Sequence, residues 1–209
     1  MSHIGNLGHS AVLFPASLVF FGCLLWFGHR ADAVAFGAAL TVSLLATLLA
    51  KLAFHACRSE IPAFGIESPS GHASFSGVFY GCVALIVAAG RPLWQRTGIY
   101  AGTALFVLLV GVSRVVVEAH TLPDVVAGTF IGMIAILAFQ ALRGPPRPFV
   151  IPTRVMAFGI PAAAVLALTI LVFARHWTPE YLIESAGFAT RSHAWRLHGA
   201  LRKSLLNRP

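Results

Sequence analysis

Charge is what this chain most lacks. Of 209 residues only 7 are Asp or Glu and 15 are Lys or Arg, so charged residues make up 11%, where a soluble domain carries roughly 25%. That deficit excludes a disordered chain and argues against a soluble globule. Cysteine is scarce too. Cys23, Cys57 and Cys82 show no metal-ligand spacing, and Cys23 and Cys82 fall inside apolar runs. Neither a disulfide framework nor a metal centre is expected, and all three read as packing residues. No Lys or Arg precedes Arg30, so the first apolar run lacks the positive segment that opens a cleavable signal peptide. Internal repeats and low-complexity tracts are missing as well.

What is present is apolar sequence in long runs. Hydrophobic residues make up 57% and mean hydropathy is +0.81. A spanning helix needs about 20 mainly apolar residues. Six windows meet or approach that length, at 11–28, 33–50, 73–90, 98–113, 125–142 and 155–174, and none holds a Lys, Arg, Asp or Glu. The expected fold is therefore all-α: a polytopic membrane helical bundle of about six transmembrane helices over residues 1–174. A more polar tail follows at 175–209. Thr178-Pro179-Glu180 suits a helix start. Trp195, Leu197, Leu201 and Leu205, interleaved with Arg196, Arg202 and Lys203, suit an amphipathic C-terminal helix lying on the bilayer; a solvated terminus is the alternative. Gly77-x-x-x-Gly81 and Gly128-x-x-x-Gly132 allow helix backbones to approach closely. Packing within one chain is favoured over dimerisation, because both helices begin at the same polar cluster.

Six spans put alternate connections on opposite faces. Those around 29–32, 91–97 and 143–154 share one face and hold Arg30, Arg91, Arg96, Arg143, Arg147 and Arg154. By the positive-inside rule that face is cytoplasmic. The opposite end then points to the periplasm or exterior of a plasma (inner) membrane. A net charge of +8 distributed in this way suits contact with anionic membrane lipids. Nucleic acid is not expected as a partner, since no soluble domain is there to carry it.

The outward face collects the chemistry. Lys51 closes the second span, Ser70-Gly71-His72 opens the third, Ser113-Arg114 closes the fourth, and His120 with Asp124 leads into the fifth. If the second helix continues past Lys51, Arg58 returns to the same side two turns later. Arg offers a planar fork to phosphate oxygens and Lys a mobile point charge. Ser70 and Gly71 stand at a helix start, where free N–H groups and the dipole favour an anion. Pro123 is expected at the first helical position of the fifth span, which sets Asp124 in the first turn, within reach of His120. A carboxylate on one imidazole nitrogen fixes the tautomer and leaves the other to attack. His72 is suited to protonate a departing oxygen. Glu118 reads as peripheral, either tuning Arg114 or solvated. His55 and Cys57 are two metal-capable residues without a defined third, so no metal is expected.

The order K-x6-R, P-S-G-H, S-R-x5-H-x3-D, running from Lys51 to Asp124, resembles the type-2 phosphatidic-acid phosphatase superfamily, which also includes the vanadium-dependent haloperoxidases. The resemblance implies a phosphatase that needs no metal and no cofactor, working through a phosphohistidine. His120 would attack phosphorus with Asp124 behind it. His72 would protonate the leaving group, then act as base for water. Lys51, Arg58, Ser70, Gly71 and Arg114 would hold the phosphoryl oxygens. One position departs from the pattern: the family usually has Pro after the first Arg, and this chain has Ser59. The expected activity is hydrolysis of a lipid phosphate such as phosphatidic acid, phosphatidylglycerol phosphate, isoprenyl diphosphate or lipid A. Transfer of the phosphoryl group between lipids at the same site is the near alternative, and an anion or lipid transporter the distant one.

Overall fold

Five helices follow one another in a computed structural model that describes residues 10–56, 66, 68–145 and 148. They are α1 (Ser10–Trp26), α2 (Arg30–Ala56), α3 (Gly71–Val87), α4 (Leu93–Val116) and α5 (Leu122–Arg143), with no strand among the described residues. Each coincides with one of the first five apolar windows. Helices α2, α4 and α5 are long and apolar enough to cross a membrane. At 17 residues each, α1 and α3 fall short of that length. The sixth window at 155–174, the tail at 175–209, Cys57 and Arg58 lie outside the described residues. So does the division into a membrane domain and a tail. Helix α2 continues five residues past Lys51, to Ala56, two residues before Arg58.

Helix α3 is the axis of the bundle, packed against each of the other four. Its closest neighbour is α5, and the two small-residue motifs are the reason. A Cβ on Gly132 would stand 2.9 Å from the Ser74 carbonyl oxygen, and one on Gly128 would overlap the Ser70 carbonyl. Gly77 in turn faces the Gly132 Cα, and Gly81 faces Ile136. Both motifs thus line the contact between α3 and α5 inside one chain.

The interior is graded along its length. Towards the arginine-bearing connections it is apolar: Leu24, Phe36, Val78, Cys82, Ile86 and Phe139 are fully buried, and Phe20, Phe36 and Phe79 pack edge to face. One buried ion pair closes this end. Arg143 Nε donates to Asp32 Oδ1 at 2.8 Å and Nη1 to the Leu85 carbonyl at 3.2 Å, tying α5 to α2 and α3. His29 Nδ1 lies 3.1 Å from the other Asp32 oxygen, and the guanidinium stacks on Phe139. At the same end a Cβ on Gly90 would stand 3.0 Å from Pro148, so the connections after α3 and α5 meet there. The opposite end buries polar groups instead, among them Thr47, Lys51, Ser70, His72, Ser74, Ser113 and Asp124.

Candidate active site

Two helix starts meet at the polar end. The first is that of α3. Ser70 is its N-cap, extended at φ −70° and ψ 111°, and its Oγ accepts from the Ala73 N–H at 3.4 Å. Accepting that bond leaves the Ser70 O–H to donate to a ligand oxygen. Gly71 opens the helix, and a Cβ added there would meet only the Thr47 methyl, at 3.8 Å. Packing inside the protein therefore does not demand glycine at 71. His72 follows in the first turn and is buried.

The second start belongs to α5 and is built as a capping box. Thr121 Oγ1 accepts from the Asp124 N–H at 3.3 Å, while Asp124 Oδ2 accepts from the Thr121 N–H at 3.1 Å. Reciprocal satisfaction of this kind stabilises a helix start. It also draws Leu122 into the helix, so Pro123 takes the second position rather than the first. The two starts are joined through Asp124: its Oδ1 accepts from the Ser68 N–H at 2.8 Å and its backbone carbonyl from the Ser70 N–H at 2.9 Å. One aspartate holds the P-S-G-H approach, caps its own helix and faces His120. The His120 Nδ1 lies 3.6 Å from Asp124 Oδ2.

The spacing from Arg114 to His120 is a helix ending. The N–H of Glu118 donates to the Val115 carbonyl and that of Ala119 to the Arg114 carbonyl. These are the two bonds of a Schellman turn. Its left-handed position, usually glycine, is Glu118 at φ +56°. The His120 N–H then also donates to the Arg114 carbonyl, at 3.3 Å, which holds the His120 backbone against the end of α4. Glu118 itself is exposed.

Lys51 arrives from α2. It is 7% exposed, so it does not hold its ammonium out in water as a snorkelling lysine would. Its charge is felt at His120. Burial holds that imidazole below its ordinary proton affinity, and the charges of Lys51 and Arg114 push the same way against the opposing pull of Asp124. Four helices thus contribute to one end of the bundle: Lys51 from α2, Ser70 to His72 at α3, Arg114 from α4, and His120 with Asp124 at α5. Arg58 is the one predicted member outside the described residues. Among those residues no group of three or more His, Cys, Asp or Glu is placed to hold a metal ion; the His55 side chain and Cys57 lie outside that description.

Residues 53–147 match the family model described as PAP2 superfamily. That match supports membership of the PAP2 superfamily for this stretch. The matched stretch takes in P-S-G-H and the run from Ser113 to Asp124, and begins two residues after Lys51. No curated protein and no solved structure matches the chain.

Two residues of this candidate site escaped the reading of motifs. Thr121 carried a signal, since Thr-x-x-Asp ahead of an apolar run is the signature of a capping box. Ser68 carried none, because it acts through its backbone N–H, which any residue but proline supplies.

Proposed function

We propose that this chain is an integral membrane lipid phosphatase acting through a phosphohistidine at His120. The observation that carries the reading is the meeting of a His–Asp pair with two buried or half-buried cations and a helix start, at one end of a bundle whose outer surface is apolar. The lipid headgroup docks at that end while its chains remain in the bilayer. Lys51, Arg114, the Ser70 hydroxyl and the N–H of Gly71 take the phosphoryl oxygens, with Arg58 as a further ligand. Asp124 faces Nδ1 of His120, so Nε2 attacks phosphorus. The P–O bond to the lipid breaks as His72 delivers a proton to the departing oxygen. Water, deprotonated by His72, then displaces the histidine and releases inorganic phosphate. No metal or cofactor enters these steps.

Burial of His120 and its two neighbouring cations support the nucleophilic role, since attack needs a neutral imidazole and all three favour that form. The clustering of the arginine-bearing connections at the opposite end supports a plasma (inner) membrane orientation with the site facing outward. The test is phosphate release by purified protein in mixed micelles. The panel comprises phosphatidic acid, phosphatidylglycerol phosphate, isoprenyl diphosphate and lipid A, each alongside His120→Ala. Release from at least one lipid that is lost in His120→Ala, persists in chelator and is inhibited by vanadate is the expected result. Turnover that needs added divalent metal, or that survives His120→Ala, overturns the mechanism.

A further inference from the structure

Three buried hydroxyls near the site have no part in those steps. Ser43 and Thr47 lie on α2 and Ser74 on α3. The Oγ atoms of Ser43 and Ser74 are 2.7 Å apart, and Thr47 Oγ1 donates to Ser74 Oγ at 3.0 Å. Exposure is 1% at Ser43, 8% at Thr47 and 1% at Ser74, so these bonds are shielded from water.

A helical hydroxyl always has a local alternative, the carbonyl of its own helix one turn back. Other hydroxyls in this bundle take it: Ser17 bonds the Leu13 carbonyl, Thr41 that of Gly37 and Thr129 that of Val125. Ser43 and Thr47 bond across to α3 instead. Their spacing matters, because Ser43, Thr47 and Lys51 recur every four residues and form one stripe of α2. On the other side, Ser74 sits one turn below Ser70 with its carbonyl against Gly132. The Thr47 methyl is the atom nearest to where a Gly71 side chain would begin. The stripe therefore leads from a pinned contact, past Gly71, to the ammonium.

We propose that Ser43, Thr47 and Ser74 are positioning residues for the reaction: their hydrogen bonds fix the height and rotation of α2 against α3, and so hold the Lys51 ammonium at the start of α3, where the phosphoryl group docks. The inference rests on the phosphatase reading above. It has a reporter that packing alone does not move. Lys51 acts on His120 by its charge, together with Arg114 from α4 and Asp124 from α5, and His72 on α3 is the site's other imidazole. If Lys51 is displaced, its hold on His120 weakens, the imidazole takes up a proton more readily, and the acid limb of kcat/KM moves to higher pH.

The experiment measures kcat, KM and the pH profile of kcat/KM, per folded protein, for wild type, Ser74→Ala, Thr47→Val and Thr47→Ser. Ser74→Ala removes both cross-helix bonds, Thr47→Val one, and Thr47→Ser none. The first two are expected to raise KM by about 5-fold or more with a smaller change in kcat. Their acid limb should rise by a few tenths of a pH unit. Thr47→Ser should restore both readouts. Should Ser74→Ala fail to accumulate, Thr47→Val decides the matter, because the Ser43–Ser74 bond remains to hold the helices. An unshifted acid limb and unchanged KM in Thr47→Val, with wild-type protein active, overturn the positioning role alone. Wild-type protein that releases no phosphate from any lipid phosphate overturns the phosphatase reading beneath it.

Discussion

Replacing Gly128 with alanine sets a methyl group inside the van der Waals envelope of the Ser70 carbonyl oxygen, with the Ser70 carbonyl carbon at 3.1 Å and nitrogen at 3.2 Å. All three are backbone atoms of a helix start, so no side chain can swing aside. Helix α5 must retreat from α3 by about 1 Å to reach an ordinary C···O separation of about 3.3 Å. Overpacking of this kind costs about 1–3 kcal/mol. The retreat also stretches the bonds from Ser68 N–H and Ser70 N–H to Asp124, now 2.8 and 2.9 Å. Losing a bond to a charged acceptor costs about 1.5–3 kcal/mol, and with the packing term the loss comes to about 4 kcal/mol. Because Asp124 lies one turn before Gly128, the carboxylate proposed to orient His120 moves with the helix, and a misplacement near 1 Å lowers turnover by about 100-fold. Unfolding in mild detergent and phosphate release per folded protein read the two effects. Gly102→Ala is the control: a Cβ there meets nothing within 4 Å, and alanine is the better helix former by about 1 kcal/mol. Gly128→Ala protein with wild-type stability and activity within about 2-fold would refute the reasoning.

Gly71→Ala should fold normally, since its methyl would meet only Thr47 at 3.8 Å. Its kcat/KM should nevertheless fall about 10-fold or more as the methyl obstructs the phosphoryl oxygens; unimpaired kinetics would remove Gly71 from the site. Burial, then the charges of Lys51 and Arg114, lower the proton affinity of His120, so the neutral imidazole proposed as nucleophile persists into acid and the acid limb of kcat/KM should lie below about pH 6.5. Lys51→Met should raise that limb, and a limb that stays put would separate Lys51 from His120. At the other end, Asp32→Ala leaves Arg143 buried without its carboxylate and should cost about 3–5 kcal/mol in unfolding. Combining it with Arg143→Met should recover most of that, and equal losses in the single and double variants would contradict the ion-pair account.

The five described helices were legible because each falls on an apolar run, whatever it packs against, although only α2, α4 and α5 reach the length of a membrane crossing. The gathering of the described candidate residues was legible because alternating runs return to the same face, so the ends of the second and fourth runs must meet the starts of the third and fifth. Local chemistry went further in one place than the motifs did: Thr121 and Asp124 carry their capping box in the sequence itself. The close approach of α3 and α5 at Gly77, Gly128 and Gly132 was readable from the small-residue motifs, although their spacing did not name a partner.

Other contacts were decided only when the helices packed. Asp32 and Arg143 are 111 residues apart, and each alone is an ordinary charge at the end of an apolar run. Ser43, Thr47 and Ser74 look like any hydroxyls in a membrane helix, since a local carbonyl satisfies such groups equally well. Ser68 acts through an N–H that carries no mark of its side chain. A run of residue types dictates helix, span and end, because those depend on solvent and on neighbours within a turn. Which buried donor meets which acceptor depends on the height and rotation of one helix against another, and only the assembled bundle sets those.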